Sequence, residues 1–548
     1  MRVVLLRPPR YVWPFNSETS AFWQPLGLLC LAAAARRDLP GVKVEVWDCP
    51  GERCGWASLQ RRLASEPIDV LGVGEETVSA HEALRAAGIV RQLWPSCRIV
   101  AGGTYFAYTI EPTLATGLVD VIVRGEGEAT FVELLRNLPA DRAETGAMPG
   151  AVAGEVPQGR SSHANAARRL HSLVSTDWAA IKGIAYLDGD GRVVVTPPRP
   201  LIEDLDSLPE PAYDLLDMSN YGRSSRNHPA LVSVEHSRGC VDTCDFCILW
   251  KHMGQDDGLA CRPRYRTQSP QRSFELVRRL YRNFGRRTFG WVDPTFNASP
   301  QWSDAWAELM LAGDLAGPAG RPRTIHTAWM RADCVVRDHK LGVLAKLVRA
   351  GLRQVMIGVE RQDDAGLSQL GKHNNSSEVC REAFAILHRH HPQVFTIGTM
   401  IYGLPGDTRQ DLDRLMAAEY EQDMDWGFLM PLTPNPGTAA AQRAERGGYV
   451  AGGELASYNF HTPVCRTDTL SLRQLESVYW RMMLSPRPRR LGRFLRLLTC
   501  GDRRKRHVSM ALVQRGTMIA LRSLLRALLH PKDDRPTLYS RKPSWYDH

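Results

Sequence analysis

Apolar and polar positions alternate along this chain with two interleaved periods. Val3–Leu6, Ile68–Val73, Arg98–Ala101 and Val119–Val123 are short, largely apolar runs, and Val42–Trp47 alternates residue by residue. Each is expected to be a strand. Pro25–Arg36, Val78–Leu93 and Thr130–Leu138 carry helical spacing between them. Five such units imply a parallel, doubly wound sheet over residues 1–140. Residues 140–180 are rich in Ala, Gly, Arg and Ser, lack periodicity and read as a linker. The linker region, 141–225, also holds a hairpin at Gly183–Val195, turning at Asp188-Gly189-Asp190-Gly191, and an extended connector at Leu201–Tyr213.

The strand–helix rhythm returns over 226–445. Strands are expected at Leu231–Glu235, Thr288–Val292, Ile325–Met330, Gln354–Val359, Thr396–Ile401 and Gly427–Met430. Six βα units suggest a partial barrel, open on one side. Residues 446–548 read as a basic helical region. The fold class is therefore α/β: a Rossmann-like domain, a partial (βα)6 barrel and a helical C-terminal part.

The most apolar stretch, Val508–Leu529, is broken by Arg515, Arg522 and Arg526, so an amphipathic helix is expected there and no transmembrane segment. No signal peptide is read at the start, and the twelve cysteines are scattered, which predicts reduced thiols and a cytoplasmic setting. The formal charge is +10, with a concentration of arginines towards the C-terminus. Nucleic acid, an acidic membrane surface and a solvated helix face all suit such a region. No nucleic-acid partner is expected.

Cys240, Cys244 and Cys247 are the only closely spaced cysteines with clear chemistry. Three thiolates in one short loop can each bind one iron of a 4Fe-4S cubane, leaving the fourth iron open to a substrate. A zinc site would need a fourth ligand, for which His236 and His252 are nearby in sequence. Phe246, just before the last cysteine, suits adenine packing or plain core. Asp293-Pro294-Thr295-Phe296 after the second barrel strand, and Arg331 and Asp333 after the third, fall at the mouth where barrels bind ligands.

This cysteine spacing after the first strand of a βα barrel resembles the radical S-adenosylmethionine superfamily. Ile401-Tyr402-Gly403-Leu404-Pro405-Gly406-Asp407-Thr408 and Pro434-Asn435-Pro436-Gly437-Thr438 are similar to further motifs of that family, with Asp407 where Glu is usual. The resemblance implies S-adenosylmethionine as cofactor. It also implies that Glu360, in Gly358-Val359-Glu360, meets the ribose or amino group, with Phe246 and Arg331 nearby.

The first domain resembles cobalamin-binding domains joined to such enzymes, through Pro25-Leu26-Gly27-Leu28, Thr77, Gly102-Gly103 and Gly125-Glu126-Gly127-Glu128. Thr77, Gly102, Gly103, Gly125 and Glu126 are the implied cofactor contacts. Asp48-Cys49-Pro50-Gly51 puts Pro50 where many cobalamin proteins carry a ligand His, so cobalt is expected to lack a protein imidazole. Together these imply a cobalamin-dependent radical methyltransferase. In that scheme methylcobalamin supplies the methyl group, and a second S-adenosylmethionine supplies a 5′-deoxyadenosyl radical.

An external electron donor of flavodoxin or ferredoxin type and a small-molecule substrate follow. Cys247–Gly254 resembles the subgroup with anaerobic porphyrin-ring cyclases and natural-product methylases. Overall length resembles the P-methyltransferases of phosphinothricin-type antibiotic biosynthesis. A carbon methylase, a cyclase, a tRNA-modifying radical enzyme and a cobalamin-binding sensor are the competing readings. Cys30, Cys49 and Cys54 match the extra cysteine trio of the tRNA enzymes too loosely to favour them.

Overall fold

The computed structural model describes residues 1–14, 23–74, 76–138, 178–222, 230–258, 260–317, 321–484, 488–530, 533 and 535–548. The expected linker over 140–180 lies almost entirely outside these.

The first sheet has seven strands in the order β2-β1-β3-β4-β5-β6-β7. They are β1 (Arg2–Arg7), β2 (Lys43–Asp48), β3 (Val70–Gly74), β4 (Arg98–Gly102), β5 (Val121–Val123), β6 (Ile184–Leu187) and β7 (Val193–Val195). β1–β5 run parallel, with Val3 opposite both Val44 and Val70. Val3–Leu6 are at most 1% exposed, as expected of strands covered on both faces by helices. The strand order reverses between β1 and β3, the kind of switch point beside which open α/β sheets bind ligands. The hairpin assigned to the linker is β6–β7, and it adds antiparallel to β5. A free hairpin leaves an edge unpaired, whereas here Ile184–Leu187 are all buried on the sheet.

The second sheet is entirely parallel, in the order β17-β16-β15-β14-β13-β8. Its strands are β8 (Leu231–Val234), β13 (Thr288–Trp291), β14 (Ile325–Met330), β15 (Leu352–Glu360), β16 (Phe395–Tyr402) and β17 (Trp426–Pro431). Small antiparallel ribbons follow β8: β9 (Ser237–Gly239) pairs with β12 (Tyr265–Thr267), and β10 (Gln255–Asp256) pairs with β11 (Cys261–Arg262). The connecting helices begin where the sequence supplies caps. Ser269 and Ser299 each precede a proline and accept from the third residue of their helix, and Thr408 with Asp411 forms a capping box.

Both open sides of the partial barrel are covered. Gln24 lays its amide along edge strand β8, donating to the Leu231 carbonyl (3.1 Å) and accepting from the Ser233 amide (2.7 Å). Helices Pro488–Thr499 and Arg503–Leu529 cover the other end, where Leu497, Val508 and Ile519 pack with Phe395, Trp426 and Phe428. Helix Trp56–Ser65 is absent from the hydrophobic-pattern reading. Its polar run Gln60-Arg61-Arg62 masks the three apolar positions that it buries, Trp56, Leu59 and Leu63. The C-terminal part is less helical than expected. Residues 535–548 form no helix and return to the first domain, where Tyr546 packs against Tyr11 and Trp56.

Candidate active site

The two domains meet through loops that follow their strands. Tyr108, beyond β4, lies against Gly437, beyond β17, so closely that a side chain at Gly437 would overlap the phenol ring. Lys251 donates to the Gly437 carbonyl (2.8 Å), with its ammonium 5.6 Å from the Tyr108 ring centre. Beyond β5, Glu128 pairs with Arg238 (2.6 Å) in β9. Beyond β2, Asp48 accepts from Tyr221 and from Arg7 (2.6 Å). The carboxyl ends of both sheets therefore point into one shared region, where α/β sheets and barrels place ligands.

The loop Cys240–Cys247 opens directly from β9 and is pinned from several sides. Asp242 pairs with Arg331 and accepts from Asn374 (2.9 Å). The Asp245 amide donates to Leu370 (2.9 Å), its carboxylate pairs with Arg443 (2.7 Å), and its carbonyl accepts from Ala440 (3.0 Å). Cys247 N–H donates to the Cys244 carbonyl (3.1 Å), which also accepts from Trp250 (3.0 Å). The thiols are near enough for charge on one to disfavour charge on the next, from Cys240 to Cys247 and from Cys247 to Cys244. Burial pushes Cys244 up to about 12, against the pull of the Lys372 ammonium, and Cys247 up to about 11. Cys244 and Cys247 keep their protons until a metal takes them as thiolates.

No group of three or more His, Cys, Asp or Glu among the described residues converges on a single ion. His236 is committed elsewhere: Nδ1 lies 2.8 Å from Asp293, Nε2 lies 3.4 Å from the Tyr265 hydroxyl, and the ring stacks on Trp302. That disfavours a zinc centre using His236. Three thiols in one short loop, with Cys247 close enough to feel both others, suit a polynuclear cluster, which presents a separate iron to each.

Glu360 ends β15 at a register shift and has a left-handed backbone, φ 66°. That conformation is costly for a residue with a Cβ. Lys372 compensates, donating to Glu360 (3.0 Å) and to the Gly358 carbonyl (2.8 Å). Burial pulls the Lys372 pKa down, but Glu360 and the thiols of Cys244 and Cys380 together outweigh it and hold it above the ordinary value. Lys372 is a functional candidate that the sequence reading missed. Its signal is the placement of Gly371-Lys372 against the cluster loop, where a side chain at Gly371 would run into Asp245.

The other expected residues take different positions. Phe246 packs with Leu370, Ile401, Leu404 and Leu432, the core alternative of its two readings. Arg331 braces the cluster loop through Asp242 and also pairs with Asp333 (2.9 Å), so it serves as a strut. Glu126, expected at the cofactor, is spent on the domain seam: it pairs with Arg238 (3.2 Å) and Arg266 (2.9 Å) and accepts from Ile202 N–H (2.8 Å). Burial raises its pKa, but the two guanidiniums outweigh that and hold it below the ordinary value. A long acidic side chain beside a glycine-rich turn looks the same in sequence whether it meets a ligand or an arginine.

Gly102 ends β4, Gly103 opens the next helix with φ 86°, and Gly125 follows β5 with φ 71°. A Cβ at Gly125 would meet nothing within 4 Å. Thr77 lies in the turn after β3 and is 5% exposed. This edge fits a large flat corrinoid: it offers backbone and open space instead of ligating side chains. Pro50 lies in the short helix Cys49–Glu52, packed under Tyr221 and Asp48, and His81 is exposed on helix Ala80–Leu93.

The comparisons with known proteins agree with this division. Residues 14–135 match the B12 binding domain and 234–418 match the radical SAM superfamily. An uncharacterized methyltransferase, PH0819, of Pyrococcus horikoshii is 24% identical, over 80% of this chain and 82% of that protein. The anaerobic magnesium-protoporphyrin IX monomethyl ester cyclase of Cereibacter sphaeroides is 26% identical, over 87% and 68%. The cytidylyl-2-hydroxyethylphosphonate methyltransferase of Streptomyces wedmorensis is 24% identical, over 82% of both. Among solved structures, the radical S-adenosylmethionine methyltransferase TsrM of Kitasatospora setae, with cobalamin and a [4Fe-4S] cluster bound, shares the fold. Its TM-score is 0.62 at 16% identity, covering 96% of this chain and 99% of that one. With a B12-binding domain, a radical SAM domain and a three-cysteine loop where their strand ends meet, the chain belongs to the cobalamin-dependent radical S-adenosylmethionine methyltransferases, with a 4Fe-4S cluster, S-adenosylmethionine and cobalamin as cofactors.

Proposed function

We propose that the chain methylates a small secondary metabolite in antibiotic biosynthesis, at the phosphinate phosphorus of an N-acetyl-demethylphosphinothricin-type substrate. The observation that carries this reading is the relative named for methylating a phosphonate, which aligns along 82% of both chains. When bound, the cluster and the corrinoid supply radical generation and the methyl group. The protein's own work is placement. Cys240, Cys244 and Cys247 hold the cluster, Lys372 holds Glu360 towards S-adenosylmethionine, and the glycines after β4 and β5 admit the corrinoid. The Tyr108–Gly437 seam keeps water from the space between.

Lys251 and Arg331 are the cations assigned to the acidic substrate. Both are engaged, with the Gly437 carbonyl and with Asp242 and Asp333. A phosphinate therefore binds by exchange, as a charged acceptor in place of the neutral Gly437 carbonyl on Lys251 or of a carboxylate on Arg331. An external flavodoxin- or ferredoxin-type protein delivers the electron, and the reaction takes place in the cytoplasm.

An anaerobic assay with methyl-labelled S-adenosylmethionine, methylcobalamin and a panel of acceptors tests the reading. Label appearing on the H-phosphinate, with S-adenosylhomocysteine and 5′-deoxyadenosine as co-products, is the expected result. Adenosyl radical formation with no labelled acceptor would rule it out. The similarity to the cyclase supports a second reading, ring closure on a tetrapyrrole. That reaction would give 5′-deoxyadenosine without requiring S-adenosylhomocysteine.

A further inference from the structure

Helix Arg503–Leu529 carries large apolar side chains on its outer face as well as on its inner one. Its inward face mixes small or polar residues, Lys505, Ser509, Gly516, Ala520 and Ser523, with Val508, Ile519 and the half-buried Leu512 and Val513. Met510, Met518, Leu521, Leu525, Leu528 and Leu529 point outward and are 45–69% exposed. At 3.6 residues per turn these six fall within an arc of about 100°, and the stripe is about 29 Å long. The helix thus carries a second apolar stripe on its outer face, which core burial does not account for.

Charge says what covers this stripe. Residues 488–530 carry eleven Lys and Arg against the single Asp502, while the rest of the chain has 58 basic and 58 acidic residues. The whole formal charge of +10 therefore resides in this segment. Some of it is neutralised in place: Arg493 pairs with Glu419, Arg496 with Asp423, Lys505 with Asp425 and Arg526 with Asp533. Arg503 and Arg522 are exposed and face no carboxylate among the described residues. A second copy seated across the stripe would bring two such segments together, which like-charge repulsion opposes. A convex single-helix ridge needs a matching groove on a protein partner but none on a fluid bilayer.

We propose that this helix docks the enzyme on an anionic phospholipid membrane, lying in the headgroup plane with its Leu and Met side chains inserted. No described helix is long and apolar enough to cross a bilayer, so the attachment is peripheral.

Vesicle flotation of the full chain, with its cluster reconstituted anaerobically, tests this. Vesicles of phosphatidylcholine with 30% phosphatidylglycerol, a composition of about that proportion, should carry the protein at low salt, whereas pure phosphatidylcholine should not. Raising the salt should release it. Leu521→Asp with Leu525→Asp should lower partitioning at least about tenfold, with unchanged thermal unfolding because both side chains face outward. Arg522→Gln should lower it about fivefold. No partitioning into anionic vesicles would overturn the proposal, as would partitioning indifferent to these substitutions. A concentration-dependent dimer in light scattering, dissolved by the double substitution, would assign the stripe to a second copy and overturn it equally.

Discussion

The two cofactor regions of this molecule are built on opposite principles. Around Cys240–Cys247 the protein supplies side chains: three thiols, the Arg331 strut, and the Lys372–Glu360 pair. At the ends of β4 and β5 it withholds them, leaving Gly102, Gly103 and Gly125. Metal ligation demands particular atoms at particular spacings, whereas a broad flat group demands mainly room and backbone. The first kind of site fails when one side chain is removed, and the second when one is added.

Substitutions can press on that contrast, beginning with the most damaging. Replacing any one of Cys240, Cys244 and Cys247 with Ala should abolish the visible absorption of the reconstituted cluster and reduce 5′-deoxyadenosine formation to background, while cobalamin binding persists. If cobalamin binding falls in step, the two sites are not independent. Lys372→Met leaves Glu360 buried without its partner, a loss of about 3–5 kcal/mol for an uncompensated charge. Chemical denaturation should show it, and Lys372→Arg should restore part of it.

Glu126→Gln removes the negative charge shared by Arg238 and Arg266, and one of its two acceptor oxygens, and should cost about 2 kcal/mol, with unchanged cluster content. An accompanying loss of cobalamin affinity alone, without lower stability, would return Glu126 to the cofactor. Gly125→Val adds a branched side chain at φ 71° and should cost about 1–2 kcal/mol. Corrinoid affinity measured by absorbance titration should fall about tenfold, the equivalent of 1.4 kcal/mol, with radical formation intact.

The same contrast explains what the sequence made readable. The three cysteines are visible because no competing structural reason puts thiols at that spacing. The parallel strands are visible because burial on both faces leaves continuous apolar runs such as Val3–Leu6. Glu126 and Arg331 read as cofactor contacts in the sequence, but their counter-charges are not readable there. Whether a charged side chain meets a ligand or a counter-charge depends on residues 112 and 89 positions away, Arg238 and Asp242. The β6–β7 hairpin was readable as a hairpin, but its attachment to β5 depends on chain far outside its local pattern. Lys372 was invisible for the same reason, since its importance comes from the strained Glu360 that it supports.

Residues 545–548 bear on how the molecule is made. Tyr546, Asp547 and His548 present their carbonyls to the amides of Trp56, Ala57 and Ser58, the otherwise unsatisfied donors that begin helix Trp56–Ser65. Tyr546 also reaches Glu82 across 464 positions of sequence. The corrinoid-side domain thus borrows the start of one of its helices from the far end of the chain. During synthesis those amides lack these acceptors until residues 546–548 have been translated. Closing so long a loop costs little more than closing one half its length, because the entropy grows only logarithmically. The delay is therefore one of timing more than of energy, and this clasp must form after the sheet strands that precede it in sequence.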